Sequence, residues 1–170
     1  MTDEVNEVNV LAQALRERGW RLATAESCTG GLIAAACTAL AGSSDWFDRG
    51  FVTYSNEAKV QMLGVDAALI AQHGAVSREV ACAMAAGALR QSPADLAVAV
   101  TGIAGPGGAV AGKPVGTVWL ATALKGHEPE PLLLHCPGDR SAVREATVRE
   151  AIRRLILCTQ GHADPPGPTT

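Results

Sequence analysis

Excess positive charge, aromatic residues, cysteine pairs and long apolar runs are all missing or scarce in this 170-residue chain. Each shortage removes a class of function. The 14 basic residues are outnumbered by 17 acidic ones, for a formal net charge of -3, and aromatic residues make up 4%. The chain therefore has neither the charge to neutralise a polyphosphate backbone nor the ring faces on which bases stack, and no nucleic-acid partner is expected. The five cysteines (Cys28, Cys37, Cys82, Cys136 and Cys158) are odd in number and widely spaced, without a C-x-x-C pair. That spacing argues against a disulfide framework or zinc ribbon. His73, His127, His135 and His162 show no metal-ligand spacing either, so no metal and no cofactor are expected. No run approaches the roughly 18 apolar residues of a membrane span, so no membrane partner is expected. The start MTDEVNEVNV is acidic and polar, unlike a secretory signal, which gives a cytoplasmic expectation.

Apolar residues are abundant: 48% of the chain is hydrophobic and 18% charged, the balance of a folded globular protein. One domain is expected over residues 1–160. Residues 161–170, with three prolines and little apolar content, are expected to form a disordered tail. Val8, Leu11, Ala12 and Leu15 recur at helical spacing and predict a first helix over 4–18, stopped by Gly19. Strands are expected at 20–25, 51–55, 96–101, 115–124 and 132–136. Helices are expected at 31–41, 56–63, 66–72, 77–91 and 140–159. Strands alternating with helices predict an α/β fold, a three-layer α/β/α sandwich. No helix separates the third and fourth strands, so one antiparallel pairing is expected in a mixed, mostly parallel sheet. Alanine-rich helices permit a homo-oligomer.

Three polar clusters interrupt the apolar pattern. Glu26-Ser-Cys-Thr-Gly-Gly31 joins a strand to a helix. There the N–H groups of Thr29, Gly30 and Gly31 can meet a phosphate or a developing oxyanion, and Ser27 can be a nucleophile. The alternative is a simple helix cap with glycines that allow close packing. In the second cluster, Thr53 to Lys59, Ser55 is a helix cap and Lys59 falls in the first turn. The helix dipole opposes a cation there by only about 0.3–1 kcal/mol, so a neutral amine at pH 7 requires burial as well. Such an amine can act as a general base; the alternative is a solvated lysine. Tyr54, the only tyrosine, either aims its hydroxyl at the same pocket or lies half-buried on a strand. The third cluster, Thr101-Gly102 through Gly108, follows a buried strand but lacks the G-K-[ST] of a P-loop. Gly138-Asp-Arg140 opens the last helix and offers a further anion contact, or merely a cap.

The ordered segments TAESCTGG, GSSDWFDRGFVTYSNEAK, VTGIAGPGG, KPVGTVW and PGDR closely resemble the CinA C-terminal domain family, from about Val8 to Leu157. The resemblance implies a hydrolase that converts nicotinamide mononucleotide (NMN) to nicotinic acid mononucleotide and ammonia, in pyridine-nucleotide recycling. It implies a Ser–Lys mechanism without metal: Ser27 as nucleophile, Lys59 as base and Tyr54 as an assisting hydroxyl. Thr101 and Arg140 match binding positions, with Gly102 beside them. Cys28 is the rival nucleophile. The alternative function is a non-catalytic regulatory module that binds a pyridine nucleotide without turnover. A DNA-associated role is opposed by the charge balance.

Overall fold

The computed structural model describes residues 2–161. The chain runs α1 (Thr2–Arg18), β1 (Leu22–Glu26), α2 (Leu32–Thr38), a 3-10 turn (Ser43–Asp45), β2 (Phe47–Val52), α3 (Asn56–Leu63), α4 (Ala67–His73) and α5 (Arg78–Arg90). It continues through β3 (Leu96–Gly102), β4 (Thr117–Leu124), β5 (Glu130–His135) and α6 (Arg140–Gly161). The strands form one sheet in the order β2-β1-β3-β4-β5. β1 pairs parallel with β2 and β3; β4 pairs antiparallel with β3 and β5. Only β4 therefore runs against the other strands, as the missing helix between β3 and β4 requires.

Side chains alternate across a strand, and here the alternation sorts them by size. Leu22, Leu96, Val98, Val100, Val118 and Leu120 face one way and pack with the stripes of α1, α2 and α6. Ala23, Ala25, Ala97, Ala99, Ala121 and Ala123 face the other way and pack with α3, α4 and α5. α5 meets that alanine face with Ala81, Ala85 and Ala88, all buried. Its Gly87 lies so near Leu63 that an added Cβ would stand 2.2 Å from the Leu63 carbonyl oxygen. Layers on both faces give the α/β/α sandwich.

The expected α1 stripe is buried throughout. The second strand differs most from expectation: it starts at Phe47, not at 51, and ends at Val52. Its first half, Phe-Asp-Arg-Gly, carries no strand signal because β2 is a sheet edge, half-exposed and free of the apolar demand of a central strand. α2 is shorter than expected and stops at Thr38. Of the expected tail, Gly161 closes α6, and residues 162–170 lie outside the described residues. Among the described residues no helix is long and apolar enough to cross a membrane.

The order β2-β1-β3 reverses direction at β1: the chain leaves β1 through α2 to one side and returns by way of α5 to the other. The carboxyl ends of β1 and β3 thus border a crevice at a topological switch point, where open α/β sheets bind ligands. Ser27 follows β1, and Thr101 and Gly102 end β3.

Candidate active site

Alternation past the end of β1 sends Glu26 to the α2 face and Ser27 to the α3 face. From the neighbouring parallel strand β2, α3 begins at the same end of the sheet. The Ser55 side chain accepts from the Ala58 N–H at 3.0 Å and sets the first turn. That turn brings Lys59 back over the segment that precedes it. Its Nζ donates to the Thr53 carbonyl at 2.8 Å and lies 3.5 Å from the carbonyl oxygens of Tyr54 and Ser55. It stands 3.1 Å from Ser27 Oγ.

Both partners are buried: Lys59 is 1% exposed and Ser27 8%. No carboxylate pairs with Lys59 among the described residues. Burial therefore holds its amine below the ordinary lysine value of 10.5. A neutral amine has two N–H donors and one lone pair. The carbonyl oxygens can take the donors, which leaves the lone pair facing the Ser27 hydroxyl. Cys28, adjacent in sequence, behaves differently. Its side chain turns into the α2-face core, and burial pushes its thiol up to about 11. It is then not a thiolate at neutral pH, which disfavours it as the nucleophile.

Ser27, Cys28, Tyr54, Asn56, Lys59, Ala75, Val76, Thr101, Gly102, Ala104 and Arg140 line a cleft of about 210 Å³ that contains no acidic side chain. A neighbouring cavity of about 580 Å³ shares Ala104 and Arg140 and reaches Gly138 to Ser141 at the start of α6. Arg140 donates to the Gly105 carbonyl at 2.9 Å and to the Tyr54 hydroxyl at 3.1 Å. Tyr54 is 61% exposed, so its hydroxyl sits on the cleft rim with Arg140 and is not bonded to Ser27. Thr101 donates its hydroxyl to the Ala75 carbonyl at 2.9 Å, which fastens the cleft wall. Gly102 is required by packing, since a Cβ there would lie 2.6 Å from Val118 Cγ2 on β4.

The expected anion site at Thr29, Gly30 and Gly31 is partly engaged within the fold, at Gly30 and at the start of α2. None of the three lines the cleft. The Gly30 N–H donates to the Ser27 carbonyl at 3.0 Å. The Thr29 hydroxyl donates to Glu26 Oε1 at 2.6 Å. The N-terminus of α2 is already occupied by Glu26, whose carboxyl oxygens accept from the N–H groups of Ile33 at 2.8 Å and Ala34 at 3.0 Å. Main-chain donors near Ser27 remain at Cys28, Thr29 and Gly31, whose N–H groups make no backbone–backbone hydrogen bond among the described residues. Sequence reasoning missed Glu26, Asn56 and the Ala75–Val76 wall. Glu26 leaves one trace, an acidic residue closing an apolar strand; the other positions leave none.

The CinA C-terminal domain model matches residues 5–159. Nicotinamide-nucleotide amidohydrolase PncC of Escherichia coli (strain K12) is 53% identical over 145 residues, which cover 85% of this chain and 88% of that protein. The crystal structure of competence/damage inducible protein CihA from Agrobacterium tumefaciens superposes with a TM-score of 0.88 at 49% identity, covering 91% of this chain and 94% of that one. A CinA superfamily protein from Klebsiella pneumoniae 700603 gives a TM-score of 0.90 at 42% identity, covering 94% and 99%.

Proposed function

The chain belongs to the CinA C-terminal domain family, and on that premise we propose that it is an amidohydrolase. It converts NMN to nicotinic acid mononucleotide and ammonia, in the cytoplasm, as a step of pyridine-nucleotide recycling. The domain that does so spans residues 1–160. The observation that carries this reading is the 3.1 Å approach of the buried Lys59 amine to Ser27 Oγ, with no carboxylate among the described residues to keep the amine protonated. The similarity to the E. coli nicotinamide-nucleotide amidohydrolase supports NMN as the substrate.

Neutral Lys59 takes the Ser27 proton as Oγ bonds to the carboxamide carbon. The N–H groups of Cys28 and Thr29 hold the oxyanion, a contribution typically of about 10²–10³ in rate per donor. The carbon–nitrogen bond breaks and the leaving nitrogen takes the proton back from Lys59 as ammonia. Water then adds to the acyl-enzyme while Lys59 accepts its proton, the ester bond breaks, and Ser27 is restored. The nicotinamide ring occupies the smaller cleft. The phosphate reaches the larger cavity, where Arg140 supplies positive charge beside Asp139, whose carboxylate accepts from the Ala142 N–H at 2.9 Å and already caps α6. Tyr54 orients Arg140 from the rim, and Thr101 and Gly102 shape the wall.

The experiment is incubation with NMN and simultaneous measurement of ammonia and nicotinic acid mononucleotide. Equimolar release is expected, with turnover lost in Ser27→Ala. Saturable binding with no ammonia, unchanged in Lys59→Ala, would establish the regulatory alternative instead.

A further inference from the structure

Glu26 has a carboxyl group with no exposure at all, one residue before the nucleophile and on the opposite face of the sheet. A buried carboxyl group is costly unless its oxygens are met by donors. Here three are supplied: the Thr29 hydroxyl at 2.6 Å and the N–H groups of Ile33 at 2.8 Å and Ala34 at 3.0 Å. The residue in the cap position of α2 is Gly31, which makes no side-chain cap bond. A serine or aspartate in that position would cap the helix locally. The cap comes instead from the far side of the turn, seven and eight residues back along the chain.

We propose that Glu26 is a positioning residue for the reaction: its carboxyl group closes the turn of residues 27–31 and so fixes the directions of Ser27 Oγ and of the Cys28 and Thr29 N–H groups. The proposal rests on the amidohydrolase reading of the site. The turn is held at each end, by β1 and by α2, and in its middle by Thr29. From outside, Arg144 donates to the Thr29 carbonyl at 3.2 Å. The main chain of Glu26 extends the same control to the base. Its carbonyl accepts from the Thr53 N–H at 2.8 Å, and the Thr53 carbonyl in turn accepts from Lys59 Nζ at 2.8 Å. One residue thus joins the carrier of the nucleophile to the carrier of the base. Oxyanion donors must already point at the transition-state position to be effective, so a loosened turn lowers the chemical step more than it lowers binding.

Glu26→Gln keeps the size of the side chain but turns an acceptor of the α2 N–H groups into a donor facing a donor. Turnover of NMN and the rate at which a fluorophosphonate labels Ser27, read by peptide mass spectrometry, are measured well below the unfolding temperature. The expected result is a kcat about 10²-fold lower with KM changed by less than about threefold, and labelling slowed in parallel. Thr29→Val lowers both rates in the same sense by about tenfold, and Thr29→Ser recovers most of that loss. Should Glu26→Gln fail to fold, the pair of Thr29 variants decides alone. Wild-type kcat and labelling in Glu26→Gln, or in Thr29→Val, would overturn the proposal. So would a loss confined to the unfolding temperature, with normal rates per folded molecule. A wild-type chain that labels at Ser27 but releases no ammonia from NMN ends the substrate reading only, and the labelling rates still decide the role of Glu26. A wild-type chain that neither labels at Ser27 nor releases ammonia from NMN overturns both.

Discussion

The two faces of the sheet meet opposite demands with the same five strands. On one, leucines and valines fill the space beneath α1, α2 and α6; on the other, alanines let α5 come close. At the active end, the alternation that sorts the core also separates two buried ionisable groups. Glu26, on the large-residue face, is met by three directed donors. Lys59, on the alanine face, is met by neutral oxygens and, among the described residues, by no counter-charge. Equal burial therefore has unequal consequences: the carboxyl group of Glu26 is held by directed donors, whereas burial without a partner charge lowers the Lys59 amine below the ordinary lysine value of 10.5.

The largest losses are expected at Ser27 and Lys59. Ser27→Ala is expected to lower kcat by about 10⁴–10⁶-fold, in an ammonia-release assay, with the fold retained by circular dichroism. Lys59→Met removes the amine while keeping an unbranched, apolar side chain. It should lower activity by about 10³-fold or more and also reveal the pH signature of burial. The folded-state value of Lys59 lies below the 10.5 of the unfolded chain. Between those two values the unfolded state binds more protons, so wild-type stability rises with pH across that window. The unfolding temperature of Lys59→Met relative to wild type should accordingly be highest below the folded-state value and fall steadily towards pH 10.5. A difference independent of pH would show that the amine is not held out of its charged form.

Two packing changes probe the two faces of the core. Leu120→Ala on the large-residue face should cost about 2–5 kcal/mol in denaturant unfolding, the cost of a buried cavity. Gly87→Ala on the alanine face overfills instead, pressing on the Leu63 carbonyl at the end of α3, and should cost about 1–3 kcal/mol. Because α3 carries Lys59, this change should also lower kcat, whereas Leu120→Ala should leave the rate per folded molecule within a few-fold of wild type. The smallest effect belongs to Cys28. With its thiol near 11, alkylation at pH 7 should be slow, and Cys28→Ala should retain turnover within about threefold.

Much of this arrangement is legible in the sequence, and the reason differs by region. The α1 stripe and the LAVAVT strand announce themselves because burial demands apolar residues at a fixed period. β2 does not, since an edge strand can carry Asp48, Arg49 and Gly50 without penalty. The motifs around Ser27 and Lys59 point to both residues as residue types suited to the chemistry. Their 3.1 Å approach depends on β1 and β2 lying side by side, a tertiary fact that no local pattern encodes. Gly30 and the start of α2 differ from expectation for a physical reason: a strand-to-helix turn looks the same in sequence whether its helix end is open to a ligand or closed by a carboxyl group from the preceding strand. The Tyr54 hydroxyl is likewise drawn outward by Arg140, 86 positions away along the chain.

The most direct test is the pH dependence of kcat/KM for ammonia release from NMN, in wild type and in Lys59→Met. The expected result is a wild-type limb that rises with pH on an ionisation below 10.5, and a Lys59→Met rate at least about 10³-fold lower at the wild-type optimum. A Lys59→Met enzyme that keeps wild-type kcat/KM and the same rising limb would contradict it.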